Sequence, residues 1–162
     1  MNWAGAVRTA IVCVILIVLH YTLRPLLGWR ASIDFLLIAL IFGAVRMRPA
    51  GAAVFGLLLG LATDSLALGA FGAGALAATI VGFSASYLKA VFFADNLALN
   101  GFFLFAGKWL FDVVYVLMER RMHGMEMVMQ IVVYSPLSAA VTAVAGVIAV
   151  TLLRPILEIR TA

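Results

Sequence analysis

The chain has 162 residues, of which 66% are hydrophobic and 11% charged, with a mean hydropathy of +1.19 and a formal net charge of +4. A soluble domain is close to half apolar and about a quarter charged, so a fold of this length in water could not hide this much apolar surface. The composition excludes a soluble globular protein and indicates an integral membrane protein.

The positive excess is read as cytoplasmic loops, not as a nucleic-acid surface. No stretch is long and polar enough for a separate soluble domain, so residues 1–162 are read as one transmembrane domain. The single cysteine, Cys13, lies in an apolar run and can make no internal disulfide. The N-terminus has a short positive start and an apolar core. A cleaved signal peptide is the alternative there, but no small-x-small cleavage site follows the core.

A spanning helix needs about 20 apolar residues. The pattern predicts an all-α, compact bundle of six such helices. The first covers 6–23 and stops at Arg24-Pro25. The second covers 32–45 and is short unless Trp29 and Met47 extend it. The third covers 49–68 and begins at Pro49, a good first-turn residue. The fourth covers 71–92, after "GAFGAG" (69–74), which is read as a tight turn and lacks the lysine of a phosphate loop. The fifth covers 96–118. The sixth covers 127–153, with a kink expected at Pro136. With the N-terminus in the cytoplasm, Arg8, Arg46, Arg48, Lys89, Arg154 and Arg160 flank the inside. Arg24, Arg30, Arg120 and Arg121 then flank the outside. That lean places both termini in the cytoplasm. The longest polar connection, "ERRMHGME" (119–126), is read as a solvated outer hairpin.

Small residues four apart share a helix face and let a second backbone come close, which is how helices associate in lipid. Ala52, Gly56, Gly60 and Asp64 form such a ridge on the third helix. Ala70, Gly74, Ala78, Gly82 and Ser86 form one on the fourth, and Ser138, Thr142 and Gly146 one on the sixth. The expectation is a tight inner packing of helices three, four and six, with the others around them.

An ionised side chain at the bilayer centre costs about 2.5–3.5 kcal/mol on insertion scales. Asp34, Asp64, Lys108 and Asp112 fall at similar depth near the outer side and are expected to form a buried polar cluster. Lys108 is expected to pair with Asp112, with Asp64, or with both. The alternatives are a purely local Lys108–Asp112 pair and an Asp64 solvated at a helix end by water, Ser65 and loop amides. His20 and His123 are the only histidines, and with Cys13 far from them they offer no metal-ligand spacing. No nucleophile–base arrangement stands out, so no catalytic residue, metal or cofactor is assigned. The fifth helix is rich in aromatic residues; Phe102, Phe105 and Trp109 are a candidate face for a partner's membrane helix, against a plain lipid or core surface, and the first helix is the other candidate for that face.

Across residues 32–90 the chain resembles the rod-shape-determining membrane protein family MreD. The likeness rests on an aspartate entering the second helix (Asp34) and on Gly56, Gly60, Leu61 and Asp64 as G-x-x-x-G-L-x-x-D. Gly72, Ala75 and Leu76, and the pair Val81-Gly82, complete it. A proline often found near that aspartate is absent from Ser32-Ile33-Asp34. The resemblance implies a non-catalytic scaffold of the bacterial cell-elongation complex in the inner membrane. It implies a single-span partner, MreC, support of the elongation glycosyltransferase–transpeptidase pair, and coupling to actin-like MreB. The family is also similar in fold to the substrate-binding subunits of energy-coupling-factor transporters. That likeness implies an alternative: a vitamin-binding subunit with an outward pocket near Asp34, Asp64, Lys108 and Asp112.

Overall fold

A helix that is apolar on every side has no face to give to water and belongs inside. "FLLIALIFGA" is such a segment, and in the computed structural model it becomes the centre of the fold. The structure describes residues 3–23, 33–66, 71–89, 97–119 and 124–157. Calls on Arg24-Pro25, Trp29, Arg30, the ends of the third and fourth spans, Arg120, Arg121, His123 and Arg160 lie outside these residues, as does the side chain of Arg154.

The described residues are all-helical. They form α1 (Trp3–Leu23), α2 (Phe35–Ala44), α3 (Pro49–Leu66), α4 (Ala73–Tyr87), α5 (Leu97–Glu119) and α6. The last has three consecutive parts: Met125–Met129, a π-helical turn Gln130–Tyr134, and Ser135–Leu157. Three helices, Pro49–Leu66, Leu97–Glu119 and Met125–Leu152, are long and apolar enough to cross a membrane. Val7–Thr22, Phe35–Ala44 and Ala73–Tyr87 are shorter apolar helices.

All ten residues of α2 are buried, and it touches α1, α3, α4, α5 and α6. The expected inner trio of helices three, four and six is corrected accordingly. The ridges on α3 and α4 do face each other. A Cβ on Gly56 would overlap the Ala78 carbonyl, one on Gly60 the backbone of Ala75, and one on Gly82 the Ala52 carbonyl. The ridge on α6 packs elsewhere: a Cβ on Gly146 would meet Leu104 of α5 and Ile38 of α2. Small residues mark where two backbones meet closely. They do not say which helix is central, and α2 reached the centre with bulky residues.

One end of the bundle is tied by polar contacts to the short α2–α3 turn. Arg46 donates to Thr9 Oγ1 at 2.7 Å, and Ser86 Oγ donates to the Met47 carbonyl at 2.8 Å. Cys13 Sγ donates to the Ala39 carbonyl at 3.5 Å.

The disturbance expected at Pro136 is a π-helical turn directly before it. Ser135 N–H bonds the Gln130 carbonyl, five residues back. In that register the Ile131 carbonyl would take its hydrogen from residue 136, which is proline and has none. The Trp109 indole N–H of α5 donates to it instead, at 3.1 Å.

Two predictions follow from these contacts. Gly60→Leu places a side chain against the α4 backbone and should cost about 1–3 kcal/mol or prevent assembly, whereas Gly51→Leu, whose Cβ would have its nearest neighbour at 3.9 Å, should be tolerated. Thermal unfolding in detergent checks both. Trp109→Phe should cost about 1 kcal/mol. A double-mutant cycle with Pro136→Ala, which restores an N–H at that position, should show a smaller penalty for Trp109→Phe.

Candidate functional site

A helix that starts inside an apolar bundle exposes unpaired N–H groups where no water can serve them. Asparagine, aspartate, serine and threonine are the residues that satisfy such ends. Asp34 is the N-cap of α2, and its Oδ1 accepts from the Leu37 N–H at 3.1 Å. Its own N–H donates to Thr142 Oγ1 of α6 at 3.2 Å. Its other oxygen, Oδ2, lies 3.1 Å from Lys108 Nζ of α5. His20, in the last turn of α1, brings Nδ1 to 3.5 Å from Asp34 Oδ1 and to 3.4 Å from the Leu36 N–H. Asp34 therefore joins four helices.

Lys108 and Asp112 stand one turn apart on α5, so their side chains meet without help from any other element. The ammonium is 2.5 Å from Asp112 Oδ1 and 5.4 Å from the centre of the Phe111 ring. Lys108 is 6% exposed, which makes both carboxylates its working surroundings instead of water.

Asp64 does not pair with Lys108. It ends the α3 ridge at the level where α4 begins, and its Oδ2 accepts from the N–H groups of Gly72 and Ala75 at 2.9 and 3.0 Å. Gly72, at φ +97°, is the N-cap of α4 and has no side chain to cap it. A carboxylate from the neighbouring helix supplies the missing acceptor and places negative charge at the positive end of α4. Gly74 leaves the space, since a Cβ there would strike the Asp64 carboxylate. Of the expected partners, loop amides serve Asp64, while the Ser65 hydroxyl donates to the Ala62 carbonyl.

His20, Asp34, Asp64, Lys108, Asp112 and Tyr115 line a common cavity of about 370 Å³. Tyr21 and Leu66, at the C-terminal ends of α1 and α3, also line it and are exposed, so the mouth lies there. The four residues expected to cluster thus share one space, with Asp64 held separately from the Lys108 pair. His20 and Thr142 were missed by sequence reasoning. The histidine did fall near the same depth as Asp34, but nothing in a single sequence sets the rotation of α1 against α2. Among the described residues, no group of three His, Cys, Asp or Glu side chains is placed to hold a metal ion.

Of the three aromatic residues of α5, Phe102 and Trp109 are both exposed. Phe105 packs against the core, and Trp109 is also bound to the π-turn of α6.

Removing the cation should be the most damaging change here. Lys108→Met leaves two largely buried carboxylates facing each other without their cation and should cost about 3–5 kcal/mol. Adding Asp34→Asn and Asp112→Asn to it should recover part of the loss in the same denaturant titration.

A family model described as rod shape-determining protein MreD matches residues 6–159. No curated protein sequence and no solved structure matches the chain.

Proposed function

We propose, from the premise that this chain belongs to the rod shape-determining MreD family, that it is a non-catalytic, multi-pass scaffold of the bacterial cell-elongation complex in the inner membrane. Membership implies a role in rod-shape determination. The scaffold binds an MreC-like single-span protein. Through it, the chain supports peptidoglycan synthesis by the elongation glycosyltransferase–transpeptidase pair and couples to MreB. The observation that supports a template role is the enclosure of α2 by all five other helices, with its polar end neutralised from within. Such a core holds the outer helices in fixed relation without moving parts.

Six crossings with both termini in the cytoplasm fit the charge distribution. Arg8, Arg46, Arg48 and Lys89 gather at the end of the bundle opposite the Asp34 cavity, which supports an outward-facing cavity. For the partner helix, α1 is the better candidate than the aromatic stripe of α5. Its row Val7, Ile11, Val14 and Val18 is exposed along one side, at the three- and four-residue spacing that shares a helix face. The polar cavity favours a second reading, a small-molecule-binding subunit of an energy-coupling-factor type transporter. Co-purification of an energising transmembrane subunit, in place of a single-span coiled-coil protein, would select it.

Val14→Trp should abolish most co-purification of the MreC-like partner while leaving the unfolding midpoint of the chain unchanged. Phe102→Trp should leave the partner bound. Affinity pull-down from membranes expressing both proteins reads each outcome, and retention of the partner by Val14→Trp together with its loss in Phe102→Trp moves the face to α5.

A further inference from the structure

We infer that the end of the bundle opposite the Asp34 cavity binds an anionic phospholipid, with one acyl chain in a cleft between α4 and α5. The proposal goes beyond the scaffold role and holds whether or not the chain binds MreC. Two observations on different residues meet there.

The first is a surplus of cations. Arg46 donates to Thr9 of α1 at 2.7 Å, and Ser86 of α4 donates to the Met47 carbonyl at 2.8 Å. These contacts bring four basic residues to one end: Arg8 near the start of α1, Arg46 and Arg48 of the α2–α3 turn, and Lys89 just after α4. Arg8, Arg48 and Lys89 are exposed. The whole chain has 7 acidic residues. Asp34, Asp64 and Asp112 line the cavity at the opposite end, where Glu119 also ends α5 and Glu126 begins α6. Only Asp95 and Glu158 remain. The four cations therefore outnumber the carboxylates that could answer them, wherever those two lie and however any one arginine is paired. A basic group of this size at a membrane surface attracts anionic headgroups, by about fivefold in affinity for each cation.

The second is an apolar cleft of about 100 Å³ at the same end. Leu88 and Ser84 line it from α4, Phe103, Ala106 and Leu110 from α5, and the fully buried Ile41 of α2 closes its floor. Ser84 is the one polar side chain among the described residues that line it. Leu88 is exposed, so the cleft reaches the surface at the end of α4, directly before Lys89. Leu110 lies about two turns further along α5 than Phe103, so the cleft runs from the basic end towards the middle of the bundle.

The size of the cleft selects its occupant. Pockets that hold a whole small molecule measure about 300–1,000 Å³. This one is too small for such a ligand, or for a helix about 10 Å across, and admits a length of hydrocarbon chain. A phospholipid joins such a chain to a charged group at the membrane surface, and the charge that suits Lys89 and Arg48 is negative. An acidic protein would meet the cations without entering the cleft.

The test uses the full-length chain in dodecyl maltoside, with lipid binding followed by native mass spectrometry. Phosphatidylglycerol is expected to bind about fivefold or more tightly than phosphatidylcholine with the same chains. Lys89→Gln and Arg48→Gln should each weaken phosphatidylglycerol about fivefold and leave phosphatidylcholine unchanged. Ala106→Leu keeps every charge and fills part of the cleft. It should weaken both lipids about fourfold, the equivalent of one methylene group turned out of the cleft. Should Ala106→Leu fail to fold, Ser84→Leu fills the cleft from α4 with the same expected loss. Equal affinity for the two lipids overturns the proposal and leaves an acidic protein as the partner of the basic end. So does a phosphatidylglycerol affinity that filling the cleft does not change. MreC is in neither measurement, so failure here is distinct from failure of the scaffold reading, which the Val14→Trp pull-down tests.

Discussion

Asp34 holds the fold together by serving two needs with one carboxylate. It closes the N-terminus of α2, and it pairs with Lys108 of α5. The backbone at the same residue is held by Thr142 of α6, and His20 of α1 approaches from the remaining side. Without an acceptor at that point, α2 would begin in a dry interior with open amides, which lipid does not tolerate. At 1.5 Å per residue, ten residues give α2 a length of about 15 Å, roughly half of the hydrocarbon thickness. All ten of its residues are buried, so its cap comes from the protein. The need for an internal cap therefore follows from the burial of α2, and the need for Lys108 follows from the cap.

Asp64 repeats the solution at the start of α4, on the wall of the same cavity. There the acceptor arrives from the preceding helix, because the residue at the start of α4 is a glycine. The two aspartates differ in how their charge is answered. Asp64 is met by backbone dipoles and Asp34 by a lysine. A buried ion pair is weak as a source of stability, since desolvating both partners consumes most of the attraction. What the Lys108 cluster supplies is placement: it fixes the depth of α2 and the rotation of α5 against it. The apolar contacts around α2 supply the adhesion.

Much of this was open to a reader of the sequence, and the boundary between legible and illegible features is physical. Interactions along one helix were readable. Lys108 and Asp112 are four apart, Pro49 starts α3, and Ala52, Gly56, Gly60 and Asp64 share a face. The family signature also lies within residues 32–90, which hold all of α2 and the α3–α4 pair. Relations between helices were not readable. In water, a polar face shows which side of a helix is outside. In lipid the outside is as apolar as the core, so α1 and α2 look alike in pattern although one is peripheral and the other enclosed. The same blindness sent the α6 ridge towards α3 and α4 instead of α5 and α2. It also separated His20 from Asp34, and left the Trp109–Ile131 bond unforeseen even though the proline that makes it necessary stands in plain view.

The two halves of the bundle respond differently to a change of charge in the cavity. Coulomb forces between unit charges a few ångströms apart reach several kcal/mol in a medium of intermediate dielectric. Lys108, Asp112, Asp34 and His20 lie within that reach of one another and belong to α1, α2 and α5, with α6 attached through Thr142. A charge entering the space is felt by all four helices at once. The α3–α4 pair is held by backbone contact at Gly56, Gly60 and Gly82 and by a carboxylate whose acceptor oxygen is already used. Its one charged group on the cavity is Asp64. The chain thus combines a hairpin fixed by close steric fit with a group of helices joined through one charged centre. The exposed face of α1 belongs to the second group, so whatever docks on α1 rests on the part of the molecule that the charged centre positions.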